Sequence, residues 1–287
     1  MQKLLKAILI VIFIGFAATM LGLIFSGQLI LPQLLNLGIF QIHYYGMFIA
    51  AAVIFGYIWA VARSKQYNLS HEEADKIIFW LLCAGFIGAR LYHVLTDWSF
   101  YRNNFVAIFE VWRGGLSIYG VLIGGVIGLF FCKKILNLKS TILNILDWLA
   151  PSLVLGQIIG RFGNLFNYEL FGYPTNLPWK MFVPSAFRPG SFINANFFHP
   201  LFLYESLGNF LILLVLLKIE KRNLKPGSLF FSYVLMYNVL RFCLEFLRID
   251  SPYLFNLRIN AIASLILALL GAVFLVSKYG FAKSQNS

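Results

Sequence analysis

ILNILDWLAPSLVLGQIIGRFGNLFNYELFG, residues 142–172, is a long apolar segment that ends in a run of polar side chains. The apolar part, Ile142–Phe166, exceeds the roughly 20 residues that a helix needs to cross a bilayer. The end brings Arg161, Asn164, Asn167, Tyr168 and Glu169 within nine residues. A charge at the centre of a membrane helix costs roughly 2.5–3.5 kcal/mol. We therefore expect this polar run to face a pocket and to bind a polar substrate.

The composition places nearly the whole chain in or near a bilayer. Of its 287 residues, 60% are hydrophobic and 12% are charged, whereas an average soluble domain is about 25% charged. Strand alternation is absent, which argues against a β-barrel. We predict an all-α, polytopic integral membrane protein with about seven to eight transmembrane helices. The candidate spans are Leu4–Phe25, Ile42–Ala62, Ile77–Leu95, Leu116–Leu136, Ile142–Phe166, Leu201–Ile219, Leu229–Leu247 and Ala261–Ser277.

The net charge of +12 follows the positive-inside rule and does not point to nucleic acid as a partner. If the N-terminus is placed in the cytoplasm and the spans alternate, every inside segment is basic. These segments contain Arg63, Lys65, Lys76, Lys133, Lys134, Lys139, Lys218, Lys221, Arg222, Lys225, Lys278 and Lys283. We therefore expect eight spans with both ends in the cytoplasm.

The basic residues of the outward half are nearly all arginines, with Lys180 as the exception. Arginine presents a planar fork of donors that suits phosphate, so the split predicts a phosphate-binding site near the outer leaflet. The arginines are Arg90, Arg102, Arg113, Arg161, Arg188, Arg241, Arg248 and Arg258. We assign Arg102, Arg188 and Arg258 to loops at the headgroup level.

We divide the chain into a signal-like or anchor helix over residues 1–30 and a single transmembrane catalytic domain over residues 31–287. The segment 168–199 contains four prolines and cannot form a span, so we expect it to form an outer-side lobe or arm. The three cysteines all fall inside predicted spans without metal-ligand spacing. We therefore expect no metal and no cofactor.

Two rows of polar residues are predicted to lie on helix faces. Tyr237, Arg241, Glu245 and Arg248 share one face, because their spacing is i, i+4, i+8 and i+11. Two arginines and a carboxylate suit an anionic headgroup, with Glu245 holding an arginine in position. The alternative is a structural Arg–Glu pair, but a second arginine is then left over without a counter-charge.

Arg161 and Asn164, at i and i+3, form the second row. Its alternative is tight helix packing at neighbouring glycines with an arginine that reaches the interface. Further polar residues begin other spans, including Tyr45 in IHYYG (42–46) and Tyr119 in GGLSIYG (114–120). Each alone is typical of an interface anchor, but all are expected at one membrane face.

GRFGNLFNYELFG at 160–172 resembles the signature of the bacterial prolipoprotein diacylglyceryl transferases. Further segments follow in the order of that family: HYYG at 43–46, GAR at 88–90, GGLSIYGVLIG at 114–124, HPLFLYE at 199–205 and RFCLEFLR at 241–248. The chain departs from the family at Tyr119, where some members carry histidine, and at Val121, where a second glycine is common. An additional N-terminal span is a further difference.

The resemblance implies a reaction and its partners. A diacylglyceryl group would move from phosphatidylglycerol to the lipobox cysteine thiol of a prolipoprotein signal peptide, giving a thioether and glycerol phosphate. This would occur at the outer leaflet of the bacterial cytoplasmic membrane, and the nucleophile would come with the substrate. The same resemblance assigns headgroup binding to Arg161, with Asn164 and Glu169 as signature polar residues. It makes Arg241, Glu245 and Arg248 a second charged cluster and Tyr45 a functional tyrosine.

As a mechanism, we hypothesise that Arg161 and Arg241 neutralise the phosphodiester and the charge on the leaving group. Glu169 and Tyr119 are both candidate bases for the thiol. Tyrosine, with a pKa near 10, is better suited to orienting a substrate. Tyr45 and Tyr237 complete the expected phosphatidylglycerol site. A lipid transporter or scramblase, and a relative that binds lipid without chemistry, remain alternatives.

Overall fold

The computed structural model describes residues 2–38, 40–222 and 224–280, and within these ranges the protein is mainly helical. Six short strands of the described chain pair in three two-stranded antiparallel sheets: Leu34–Asn36 with Gln41–His43, Met181–Phe182 with Phe197–Phe198, and Tyr253–Leu254 with Leu257–Arg258. The helices are α1 (Gln2–Phe25), α2 (Tyr44–Arg63), α3 (His71–Thr96), α4 (Trp98–Tyr101), α5 (Ile118–Ile135), α6 (Ile142–Asn167), α7 (Leu201–Glu220), α8 (Ser228–Glu245) and α9 (Ile259–Gly280). The strands are β1 (Leu34–Asn36), β2 (Gln41–His43), β3 (Met181–Phe182), β4 (Phe197–Phe198), β5 (Tyr253–Leu254) and β6 (Leu257–Arg258).

Six helical segments of the described chain are long and apolar enough to cross a membrane. They are α2 with the turn that follows it, α3, α5, α6, α7 and α9. The described part of α1 contributes a shorter apolar stretch, Gly15–Phe25. Helix α8 coincides with a predicted span but carries Tyr237, Arg241 and Glu245 within its 18 residues. The prediction of an all-α, polytopic membrane protein is confirmed. Lys283, which we expected on the inside, lies outside the described residues.

The ends of two helices have clear local causes. Helix α3 begins with a capping box, in which the Ser70 hydroxyl accepts from Glu73 N and the Glu73 carboxylate accepts from Ser70 N. Helix α6 ends where the backbone becomes left-handed, with φ of 51° at Tyr168 and 55° at Leu170. Left-handed backbone is costly for residues with a side chain, so these two positions depend on contacts that hold the segment.

The chain forms two compact units. The first comprises residues 1–55, 153–224 and 231–287, and its core contains Ile24, Leu165, Met181, Val183, Phe198 and Phe202. The segment 168–199 thus supplies part of that core through β3 and β4. The division into an anchor helix over 1–30 and a catalytic domain over 31–287 stays a prediction.

The second unit comprises residues 56–152 and 225–230. Helices α3 and α5 pack closely there at Gly88, Gly120 and Gly124, where an added Cβ would collide with the backbone of the facing helix. Asp147 accepts from Gly227 N at 2.6 Å and from Phe230 N at 2.7 Å. This carboxylate therefore caps the first turn of α8.

Candidate active site

A buried carboxylate joins three helices of the first unit. Glu205 on α7 is 1% exposed. It accepts from Arg161 Nη2 at 2.5 Å, from Arg241 Nη1 at 3.0 Å and from Tyr237 OH at 3.1 Å. Such charge-assisted bonds are about twice as strong as neutral ones. Glu205 therefore fixes two guanidinium groups, one from α6 and one from α8, beside each other.

A second buried carboxylate lies further along α8. Glu245 is 0% exposed, and its Oε1 accepts from Asn260 Nδ2 at 3.1 Å. Its Oε2 lies 3.5 Å from Arg241 Nη2 and 3.9 Å from Arg248 Nε, without a directed hydrogen bond among the described residues. The structure thus brings Arg161, Arg241 and Arg248 together around two carboxylates. We call Arg161, Glu205, Tyr237, Arg241, Glu245 and Arg248 the ion cluster.

Arg248 also has a partner of its own, Asp250. Its Nε and Nη2 donate to the Asp250 carboxylate at 3.0 Å and 2.7 Å. Burial works to raise the pKa of Asp250, but these hydrogen bonds outweigh it and lower the pKa below the usual value. We expected a second arginine of this row to lack a counter-charge within a structural Arg–Glu pair. Arg248 has Asp250 as its counter-charge, so that expectation is wrong.

Other arginines of the outward set bind backbone carbonyls. Arg90 donates to the carbonyls of Ala107, Ile108, Gly114 and Gly115. Arg188 donates to Val183 O and Ile193 O. Arg258 donates to Glu245 O and Arg248 O at the end of α8. The expectation that Arg90 belongs to a phosphate site is therefore wrong, because its guanidinium group already donates to four backbone carbonyls.

The signature run forms a polar group at the end of α6. Asn164 Nδ2 and Asn167 Nδ2 each donate to the Glu169 carboxylate at 3.3 Å. The Glu169 amide donates back to Asn164 O at 2.9 Å. Asn164 is buried and Glu169 is exposed, so two amides hold a carboxylate at the surface between two left-handed residues.

The chain after this run is tied to two other segments. Gly172 N donates to His199 O at 2.9 Å, and Tyr173 N donates to Leu247 O at 3.0 Å. A Cβ on Gly172 would lie 2.5 Å from Leu247 O, so only glycine allows this approach. These bonds bring together the polar run, the start of α7 and the end of α8. Burial lowers the pKa of the His199 imidazole in this position.

The Tyr45 ring packs against Gly163, which lies two residues after Arg161 on α6. A Cβ on Gly163 would lie 2.9 Å from the Tyr45 ring. One residue away, the Tyr44 ring stacks on Phe166 with ring centroids 4.8 Å apart. The first turn of α2 therefore packs against α6 at Gly163 and Phe166.

Comparison with known proteins decides the family. The family model described as prolipoprotein diacylglyceryl transferase matches residues 32–277. The chain belongs to the prolipoprotein diacylglyceryl transferase family.

Three relatives illustrate how far the similarity extends, and each is named phosphatidylglycerol–prolipoprotein diacylglyceryl transferase. The Thermosynechococcus vestitus protein is 41% identical over 242 residues, 83% of this chain and 89% of its own length. The Thermotoga maritima protein is 38% identical over 277 residues, 94% of each chain. The Synechocystis protein is 39% identical over 259 residues, 88% of this chain and 91% of its own length.

Tyr119 belongs to the second unit and lies in the first turn of α5. It is 57% exposed, and its ring centroid lies 5.9 Å from that of Tyr92. Its side chain makes no hydrogen bond or ion pair to any described residue. Its part in the transferase reaction stays a prediction, as does the assignment of the other site residues.

Sequence reasoning missed Glu205, Asn260 and Asp250. Glu205 had a usable signal, since a carboxylate inside an apolar span is costly and therefore informative. Asp250 and Asn260 had none, because Asp250 lies in the connection after α8 and Asn260 in the first turn of α9, and their contacts depend on the fold. Across the described chain, no group of three or more His, Cys, Asp and Glu side chains could hold a metal.

Proposed function

We propose that this transferase moves the diacylglyceryl group of phosphatidylglycerol to the lipobox cysteine thiol of a prolipoprotein signal peptide, the first step of lipoprotein maturation. The observation that carries the proposal is Glu205, which holds Arg161 and Arg241 side by side within an apolar helical unit. Paired guanidinium groups suit the single negative charge of a phosphodiester and the greater charge of a leaving phosphate.

The arginines keep donors for such a ligand. The side chains of Arg161 and Arg241 are 26% and 15% exposed. Nε of Arg161 has no hydrogen-bond partner among the described residues. Because Glu205 binds only part of each guanidinium group, the remaining N–H groups can bind phosphate oxygens. Asn164, Glu245, Arg248, Tyr45 and Tyr237 would complete the lipid site.

In the proposed step, the cysteine thiolate attacks the glycerol carbon that bears the phosphate. A C–S bond forms, the C–O bond breaks, and glycerol phosphate leaves with the electron pair. Arg161 and Arg241 stabilise the charge that gathers on it. A free thiol has a pKa of about 8.5, and nearby cations lower it. Glu169, held by two amides at the surface, is the base that we propose for the thiol proton, and Tyr119 orients the substrate.

We place the reaction at the outer leaflet of the bacterial cytoplasmic membrane. The basic segments of the chain support this orientation, and the relatives described above are bacterial. The partners are then phosphatidylglycerol, the signal peptide and the surrounding bilayer. The lipobox cysteine would approach from the side of the membrane to which it has been secreted.

The test uses the purified full chain in detergent with phosphatidylglycerol and a lipobox peptide. We expect glycerol phosphate release together with a peptide mass increased by one diacylglyceryl group. A peptide with serine in place of cysteine should give neither, because its hydroxyl is a far weaker nucleophile. Release with the serine peptide, or none with the cysteine peptide from folded protein, would contradict the proposal.

A further inference from the structure

Polar residues form a second layer beside the ion cluster, one helical turn away. Arg161, Glu205 and Tyr237 each have another polar side chain four positions away on the same helix. These are Gln157 on α6, Asn209 on α7 and Tyr233 on α8. Residues four apart share a helix face. Gln157 and Tyr233 lie farther than Arg161 and Tyr237 from the C-terminal ends of α6 and α8, which lead to Glu169 and Asp250. Asn209 lies farther than Glu205 from the N-terminal end of α7. We call Gln157, Asn209 and Tyr233 the amide layer.

Contacts join two members of the amide layer to each other and to the ion cluster, and the face of α7 that carries the third packs against α6. Gln157 Nε2 donates to Tyr233 OH at 2.8 Å, which joins α6 to α8. The rings of Tyr233 and Tyr237 lie 5.7 Å apart, which joins the two layers. Ser206 Oγ donates to Ile158 O at 3.1 Å, so this face of α7 is turned toward α6.

Asn209 is the unusual member of the layer. It is 0% exposed, and neither its amide oxygen nor its amide nitrogen has a hydrogen-bond partner among the described residues. Gln157 Oε1 is likewise buried without one. A buried amide that makes no hydrogen bond destabilises the folded protein, because it has lost its bonds to water without replacing them. Unpaired groups of this kind call for an explanation, and the neighbouring ion cluster suggests a ligand.

The chemistry of a phosphoglyceride fits both layers at once. Its ester carbonyls follow the phosphate within a few covalent bonds, on the side toward the acyl chains. Four residues of helix span about 6 Å, which is a comparable reach. A lipid whose phosphate lies at Arg161 and Arg241 therefore presents ester carbonyls at the level of the amide layer. An ester carbonyl accepts hydrogen bonds but cannot donate them, so its partner must be a donor such as Asn209 Nδ2.

We propose that Asn209 donates a hydrogen bond to an ester carbonyl of the diacylglyceryl group, so that the site selects acyl esters over ether lipids. This inference rests on the proposed function, because it takes phosphatidylglycerol as the ligand of the ion cluster. Asn209 is in this account a residue that determines specificity, and it takes no part in bond making or breaking.

The experiment compares two phosphatidylglycerols of equal chain length, one with ester-linked and one with ether-linked chains. Binding of each to the full chain in detergent is measured by native mass spectrometry. Wild-type protein should bind the diester about tenfold more tightly, the scale of one hydrogen bond to an otherwise unpaired amide. In Asn209→Leu the two lipids should bind within about twofold of each other.

Asn238→Leu is the matched control, because Asn238 is also a buried amide but donates to Val234 O of its own helix. It should keep the tenfold ester preference. Equal binding of both lipids by wild-type protein would overturn the inference without any variant, and so would an unchanged preference in Asn209→Leu. Transfer to a lipobox peptide is scored separately. Ester preference without transfer would contradict the proposed function and leave the role of Asn209 supported.

Discussion

Glu205 shows how a single side chain can set the geometry of a phosphate site. Two guanidinium groups repel each other unless an anion lies between them, and in the absence of lipid Glu205 is that anion. A buried carboxylate and a buried arginine each carry a large desolvation cost, which their mutual bonds offset. The same bonds fix the direction of both guanidinium groups before a phosphate binds, so the ligand need not order them.

We predict that Glu205→Gln lowers kcat/KM by about 10- to 100-fold, on the scale of losing one or two charge-assisted hydrogen bonds. Glutamine keeps the size of the side chain but removes the charge that holds Arg161 and Arg241 together. Glycerol phosphate release at several lipid concentrations measures the change. Glu72→Gln is the control, because Glu72 is an exposed residue paired with Lys76. Equal activity of the two variants would refute the role of Glu205.

Arg161→Lys tests whether the fork of the guanidinium group is needed or only its charge. Lysine keeps the charge but cannot bind a carboxylate and a phosphate in the same planar arrangement. We expect turnover to fall about 100-fold, a scale seen when one donor to a developing oxyanion is removed. Arg102→Lys, a change at an exposed residue, should leave turnover intact. Near-normal turnover in Arg161→Lys would exclude a requirement for the fork.

At the scale of elements, the site depends on how three chain segments are tied together. The backbone after α6 donates to His199 O and Leu247 O, so these bonds connect the polar run to the segments before α7 and after α8. Arg258 adds bonds to the carbonyl of the last residue of α8, Glu245, and to that of Arg248 just after it. The position of Glu169 relative to the ion cluster is therefore set by backbone bonds outside the cluster itself.

Gly172→Ala should disturb that arrangement, because the added methyl group would lie 2.5 Å from Leu247 O. We expect a lower Tm and an activity loss of more than about tenfold, since overpacking typically costs 1–3 kcal/mol. Gly190→Ala is matched to it in the same connection, where an added Cβ meets no atom within 4 Å. Thermal unfolding and transfer are measured on both. Indistinguishable variants would show that the close approach at Gly172 is unimportant.

His199 gives the same region a pH dependence. Burial lowers its pKa in the folded protein, whereas in the unfolded chain it stays near 6.5. Near and below that pH the unfolded chain binds a proton that the folded protein resists, so stability is lost as the pH falls through about 6.5. We expect the Tm of His199→Gln to depend less on pH in this window. The same change at the exposed His43 serves as the control, and an equal effect of both would contradict the assignment.

At the scale of the whole molecule, the length of the apolar segments was enough to predict the long helices, because each membrane span is a local feature of the sequence. The shared face of Tyr237, Arg241 and Glu245 could also be predicted from their spacing, because all three residues lie in α8. The bonds of Glu205 to Arg161 and Arg241 could not be predicted, because they join residues 44 and 36 positions apart. Arg90 was misjudged for a related reason. The carbonyl groups that occupy it become neighbours only through the fold.

The membrane orientation can be tested by labelling single cysteines in a variant that lacks Cys83, Cys132 and Cys243. Ser191 and Lys139 are both exposed and lie in connections that we place on opposite sides of the membrane. An impermeant maleimide should label Ser191→Cys in intact cells, and Lys139→Cys only after permeabilisation. The reverse pattern, or labelling of both in intact cells, would contradict the orientation.

The most direct test of the central claim is the rate of glycerol phosphate release from phosphatidylglycerol with a lipobox peptide, for wild-type protein and for Arg161→Ala. If the paired arginines bind the phosphate during transfer, release requires the peptide cysteine and falls by at least about 100-fold in the variant. Cysteine-dependent release that continues unchanged in folded Arg161→Ala would contradict the account.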